Sequence, residues 1–94
     1  MNPNLVGKWA TEDEDSDAVF VFSIKDGRCE VTGYCRSDGE VFEIGDVTWD
    51  DSTLSFNALM PSTGCYSKNS FTILPDGRAE LELTIYETWK KLEK

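Results

Sequence analysis

Few side chains in this 94-residue chain are of the types that perform acid–base or nucleophilic chemistry. There is no histidine, which removes the commonest general base, the Ser–His and Cys–His nucleophile pairs and most zinc sites. Cys29, Cys35 and Cys65 lack a Cys-x-x-Cys spacing, and we expect them to be small apolar side chains rather than metal ligands. The sequence therefore predicts no catalytic residue, no metal and no cofactor.

An acidic run at residues 12–17 has the beginning of a cation-binding pattern. Asp13, Asp15 and Asp17 occupy alternate positions, as the first oxygen ligands of a calcium loop do. The pattern then fails, because Ala18 and Ile24 stand where an EF-hand has its glycine and its bidentate glutamate. We predict a solvated loop.

In the segment from Cys65 to Leu74, two polar residues alternate with their neighbours in the same way as an apolar residue does. If Phe71 faces inward, alternation places Ser67 and Asn69 inside as well. A buried asparagine without a hydrogen bond costs roughly 1–3 kcal/mol. One interpretation is the polar end of a ligand pocket, to which we assign Ser67, Asn69, Tyr34 and Trp49. A solvated barrel mouth, or a bulge near Asn69, would produce the same pattern.

Turn sequences divide the chain into short alternating segments. They are Lys25–Arg28, Ser37–Glu40, Asp50–Thr53, Pro61–Gly64 and Pro75–Arg78. Pro61–Gly64 is the best candidate for a functional loop, although an ordinary turn is the simpler interpretation. The spacing predicts one all-β domain over residues 1–94, a single antiparallel up-and-down meander of seven or eight strands. We expect a small closed barrel because closure removes exposed edges, but a two-sheet sandwich needs the same alternation.

Several strands carry more specific expectations. The first is predicted over Leu5–Thr11 and the last over Ala79–Trp89, with Trp89 on the inner face. Gly33 in mid-strand predicts a bulge or bend, and Gly45–Asp46 a kink. The strand Ala18–Ile24 is apolar on both faces, which implies a second cover from a partner subunit or from the chain's own termini.

Charge limits the partners. The net charge is −9, and an acidic surface disfavours both nucleic acid and anionic membranes. The chain opens without a basic and apolar leader, and no apolar run approaches the ~20 residues of a membrane span. With an odd number of cysteines, we expect reduced thiols and a cytoplasmic protein.

The segment Gly7-Lys8-Trp9 resembles the Gly-x-Trp signature of calycins, the group of lipocalins, fatty-acid-binding proteins and avidins. The closing Thr88-Trp89-Lys90 and the up-and-down strand order are similar too. The resemblance implies a lipocalin-like barrel, in which the glycine lets the chain cross the barrel base and the tryptophan closes that end.

Two functions follow as hypotheses. One is a binding module for a small apolar or amphipathic ligand. The many large inward side chains argue for a filled interior, so any pocket should be small or lie at one mouth. The alternative is a homodimeric interaction module without a ligand, suggested by apolar residues on nominally outer faces. These residues are Val19, Val21, Leu59 and Leu74.

Overall fold

The computed structural model describes residues 2–12 and 16–92. Over these residues the chain forms one short 3₁₀ turn and seven strands. The turn is Pro3–Leu5, and the strands are β1 (Gly7–Trp9), β2 (Ala18–Lys25), β3 (Arg28–Cys35), β4 (Glu43–Trp49), β5 (Thr53–Met60), β6 (Cys65–Ile73) and β7 (Ala79–Tyr86). The prediction of an all-β fold is confirmed.

Consecutive strands pair antiparallel, as predicted, but they form two sheets. One contains β1-β2-β3 and the other β4-β5-β6-β7. A single bridge between Tyr34 and Val41 connects them, and the Phe42 amide donates to the Gly33 carbonyl at 2.9 Å beside it. The meander is therefore continuous along the chain, with its weakest pairing between β3 and β4.

The predicted closed barrel is not observed among the described residues. Within the two sheets, β1 pairs only with β2 and β7 only with β6, so a gap that we call the seam separates the first and last strands. The first strand is shorter than predicted, because Pro3 begins a 3₁₀ turn whose N-cap Asn2 accepts a hydrogen bond from the Asn4 amide. With three residues, β1 could pair with only part of the eight-residue β7.

Four phenylalanine rings join the sheets and fill the space between them. Phe20 and Phe22 come from β2, whereas Phe56 and Phe71 come from β5 and β6. The Phe20–Phe56 and Phe22–Phe71 centroids are each 5.0 Å apart in edge-on geometry, which suits the aromatic quadrupole. Leu5, from the 3₁₀ turn, is fully buried in the same cluster.

The bulge predicted at Gly33 is wrong, because the β2–β3 register runs unbroken from Ala18↔Cys35 to Lys25↔Arg28. The glycine has a packing role instead. A Cβ at Gly33 would lie 2.6 Å from Cδ1 of Phe20, so only glycine leaves room for that ring. The register shift falls between Gly45 and Thr48, where the kink was predicted.

The outer apolar face of β2 is covered without a second subunit. Val19 is only 3% exposed in the single chain. Tyr34 lies opposite Val19 and Lys8 opposite Val21, and the Lys8 ammonium lies 5.9 Å from the centre of the Tyr34 ring. Val19 therefore gives little support to a dimer through this face, and Val21 is half-buried too.

We expect Gly33→Ala to lower the free energy of unfolding by about 1–3 kcal/mol, because the added methyl overpacks the Phe20 ring. Urea denaturation measures the change. Gly45→Ala is the matched control, since a Cβ there meets nothing within 4 Å, and its effect should stay within about 0.5 kcal/mol. Equal effects of the two substitutions would contradict the packing role of Gly33.

Candidate functional site

The structure brings two of the four predicted site residues together. Asn69 is 4% exposed on the inner face of β6, and its Nδ2 donates to the Ser67 hydroxyl at 3.1 Å. Asn69 and Ser67 therefore lie on the inner face of β6, as their alternation with Phe71 predicts. No buried side-chain nitrogen or oxygen of the described residues lacks a hydrogen-bond partner, so the pair needs no ligand to satisfy it.

Tyr34 and Trp49 lie elsewhere. Tyr34 has the opposite parity to the buried Val31 and Gly33 of β3, which turns it to the outer face. Trp49 pairs with Leu54 at the far end of β4 and is 40% exposed. The structure therefore assembles no common pocket from the four residues.

The loop Pro61–Gly64 is fastened to the connection between β3 and β4. The Glu40 carboxylate accepts one hydrogen bond from the Ser62 amide at 2.8 Å and another from its hydroxyl at 2.6 Å. Charge-assisted hydrogen bonds of this length are strong ones. This loop therefore has a structural role, in joining the two halves of the meander.

An apolar cleft that the sequence analysis did not identify lies in the seam. This seam cleft has a volume of about 210 Å³. Its apolar lining comes from both sides of the gap: Trp9, Ala18, Phe20, Phe71, Ala79 and Leu81. The Trp9 indole is held in place because its Nε1 donates to the Leu5 carbonyl at 2.8 Å. The only sequence signal for the site was the Gly-x-Trp segment.

Polar residues surround the mouth of the seam cleft. Arg78 forms ion pairs with Glu12 at 3.4 Å and with Asp76 at 2.9 Å, and its hydrogen bond and charge attraction to Asp76 raise the Arg78 pKa. A wider hollow of about 460 Å³, also bordered by Trp9 and Ala79, extends toward these groups. Because the paired side chains are largely exposed, the pairs contribute little stability and can exchange for ligand contacts.

The acidic run is anchored beside the seam cleft at Asp17. Its carboxylate accepts hydrogen bonds from the Ser37 hydroxyl at 2.6 Å and the Ser37 amide at 2.9 Å. The bond from the hydroxyl is the main cause that lowers the pKa of Asp17. Asp13 and Asp15, which begin the incomplete calcium-loop pattern, lie outside the described residues, and the described part of the chain contains no cluster of three or more potential metal ligands.

The cysteines are separate from one another, as predicted. Cys29 is buried, Cys35 half-buried and Cys65 exposed, and none forms a disulfide. Burial raises the pKa of the Cys29 and Cys35 thiols, and for Cys35 the nearby Asp17 charge adds to the effect. A raised pKa disfavours the thiolate, which is the nucleophilic form.

Comparisons with known proteins do not identify a relative. No protein-family model, no curated protein and no solved structure matches the chain. The resemblance to calycins therefore stays a prediction. Among the residues that the structure describes, no helix is long and apolar enough to cross a bilayer.

We predict that Ser67→Ala lowers the free energy of unfolding by about 1–3 kcal/mol, because it leaves the buried Asn69 amide without its acceptor. In an Asn69→Leu background the same substitution should cost less than about 0.5 kcal/mol. Urea denaturation of the four proteins forms a double-mutant cycle. Equal costs in both backgrounds would show that the pair is not coupled.

A second prediction concerns acid. A carboxyl whose pKa is lowered by folding adds stability above its unfolded pKa and loses it as the pH falls through the folded value. Asp17→Asn should therefore destabilise the protein more at about pH 7 than at about pH 2, measured by urea denaturation. In a Ser37→Ala background this difference should shrink, because the main cause of the lowered pKa is gone. An undiminished difference would refute the assignment to Ser37.

Proposed function

We propose that the chain is a lipocalin-like binding module that takes a small apolar or amphipathic molecule in the seam cleft. The observation that carries the proposal is the position of the apolar seam cleft between the first and last strands. The interior between the sheets is filled by phenylalanine rings, whereas Trp9 and Leu81 face unfilled space at the seam. Binding is thus assigned to the edge of the meander rather than to a central cavity.

The dimensions limit the ligand. Pockets for drug-sized molecules usually enclose about 300–1,000 Å³, and the seam cleft has about 210 Å³. It suits one aromatic ring or a short alkyl segment. The adjoining hollow of about 460 Å³ offers room for the remainder of the molecule.

The rim favours an amphipathic molecule. An apolar group inside the cleft would contact Trp9 and Phe71. A polar group at its other end would meet Arg78, Glu12 and Asp76, which offer both donors and acceptors. A few polar groups at the edge of an apolar pocket commonly fix ligand orientation. The net charge of −9 argues against a nucleic acid as the partner.

Filling the cleft tests the proposal. Ala79 lies at the start of β7, half-buried against the core, and Ala79→Phe should occupy the cleft with its own ring. We expect the affinity for the neutral probe N-phenyl-1-naphthylamine, measured by fluorescence titration, to fall about tenfold or more.

The control is Val41→Phe, which adds a ring at a residue that is 62% exposed and outside the cleft. It should leave the affinity of the probe unchanged. An unchanged affinity in Ala79→Phe, or an equal loss in both variants, would contradict the assignment of the site.

A further inference from the structure

In the part of the chain that the structure describes, the seam leaves one face of β7 largely exposed. Leu81, Leu83 and Ile85 have the parity of the core-facing residues, since they pair with Phe71, Asn69 and Ser67 of β6. They are nevertheless 39%, 48% and 54% exposed. These three side chains therefore point to the predicted inner side of the sheet, but they are not buried there.

Within residues 2–12 and 16–92, no other strand pairs with the outer edge of β7. The Leu74 amide donates to the Arg78 carbonyl at 2.8 Å, and the Ile73 amide donates to Ser52 on the opposite side. Ladder hydrogen bonds alternate along a strand. The backbone N–H and C=O groups of the even-numbered residues of β7 therefore bond to β6, and those of the odd-numbered residues point toward the open edge. β7 has no proline, lysine or bulge of the kind that protects many edges, and its two charged residues, Glu80 and Glu82, are on the face opposite to Leu81 and Leu83.

We propose that this edge pairs antiparallel with β7 of a second copy, about a two-fold axis through Leu83. In that register Leu83 of the two subunits meet, and Leu81 lies opposite Ile85 of the partner subunit. The backbone N–H and C=O groups of the odd-numbered residues of β7 then form hydrogen bonds with those of β7 in the other copy. The two four-stranded sheets become one sheet of eight strands, an edge-to-edge association of the kind that free strands favour.

Charge selects this register among its neighbours. An axis through Glu82 would place that residue opposite its own copy, and an axis through Leu81 would place Glu80 opposite Glu82. Like charges directly opposite each other destabilise a sheet. An axis through Thr84 would set Leu81 against Glu87. Among these four axes, only the one through Leu83 pairs Leu81 with Ile85 and Leu83 with itself while placing no glutamate directly opposite another. Ala79 then lies opposite Glu87 of the partner subunit, at the end of the paired segment.

The same register brings opposite charges together on the outer face. Glu80 lies opposite Tyr86 of the partner subunit. In each chain the Lys68 ammonium lies 5.7 Å from the centre of the Tyr86 ring. The carboxylate is thereby placed beside a lysine of the other copy, which is electrostatic complementarity.

The exposed segment after β7 also finds a place in this dimer. Trp89 is 85% exposed in the single chain, contrary to its predicted inner position. Since the paired strands are antiparallel, the segment after Tyr86 would leave β7 in the direction of the partner subunit's β6–β7 turn. The pairing itself rests on β7 and does not depend on a ligand.

Sedimentation velocity from micromolar to submillimolar concentration tests the proposal. The wild-type chain should sediment as a dimer, at twice 10.6 kDa. Leu83→Lys places two like charges at the axis and should weaken dimerisation by about 100-fold or more. Ile24→Lys is the matched control, because Ile24 is 49% exposed on β2, away from the proposed contact, and its dimerisation should be unchanged.

Mixing provides the sharper result. Leu83→Lys and Leu83→Glu should each be monomeric alone and form a heterodimer when combined, which also shows that both variants are folded. A wild-type monomer at every concentration would overturn the proposal. So would a dimer that Leu83→Lys leaves intact. Neither result bears on binding in the seam cleft, which the Ala79→Phe titration tests separately.

Discussion

The packing of Phe20 and Phe22 against Phe56 and Phe71 is the interaction on which the rest of the fold depends. Among the described residues a single isolated bridge connects the two sheets through the backbone, and the four rings pack across the interface between them. No larger residue fits at position 33, because the Phe20 ring occupies the space that a side chain at Gly33 would need. Since the rings fill the interior, a central cavity of the kind that large barrels enclose is absent from this core, and the unfilled apolar surface is displaced to the seam.

The seam lies between two terminal strands of unequal length. A closed meander needs its first and last strands to pair along their length, but β1 has three residues and β7 has eight. One consequence is a small cleft between Trp9 and Leu81. Another is an unpaired edge with apolar side chains on one face. The proposed ligand site and the proposed dimer contact thus both lie at the open seam, at neighbouring positions along β7.

Alternation and turn residues were sufficient to predict the strands, their antiparallel order and the inward position of Asn69, because these features depend on local sequence. Closure could not be predicted, since it depends on whether strands distant in sequence meet. Gly33 was misread for a related reason: a bulge and a tight ring contact both require glycine, and only the position of Phe20 distinguishes them. Tyr34 and Trp49 were grouped with Ser67 without information on how the sheets face each other.

Amide hydrogen exchange along β7, followed by NMR in dilute solution where a single chain predominates, tests the open seam most directly. The account predicts slow exchange at Glu82 and Thr84, whose amides bond to β6, and fast exchange at Leu81, Leu83 and Ile85, whose amides face the gap. Slow exchange at all five positions in the monomer would mean that β7 is paired on both sides. The meander would then be closed, and neither the seam cleft nor the free edge would exist.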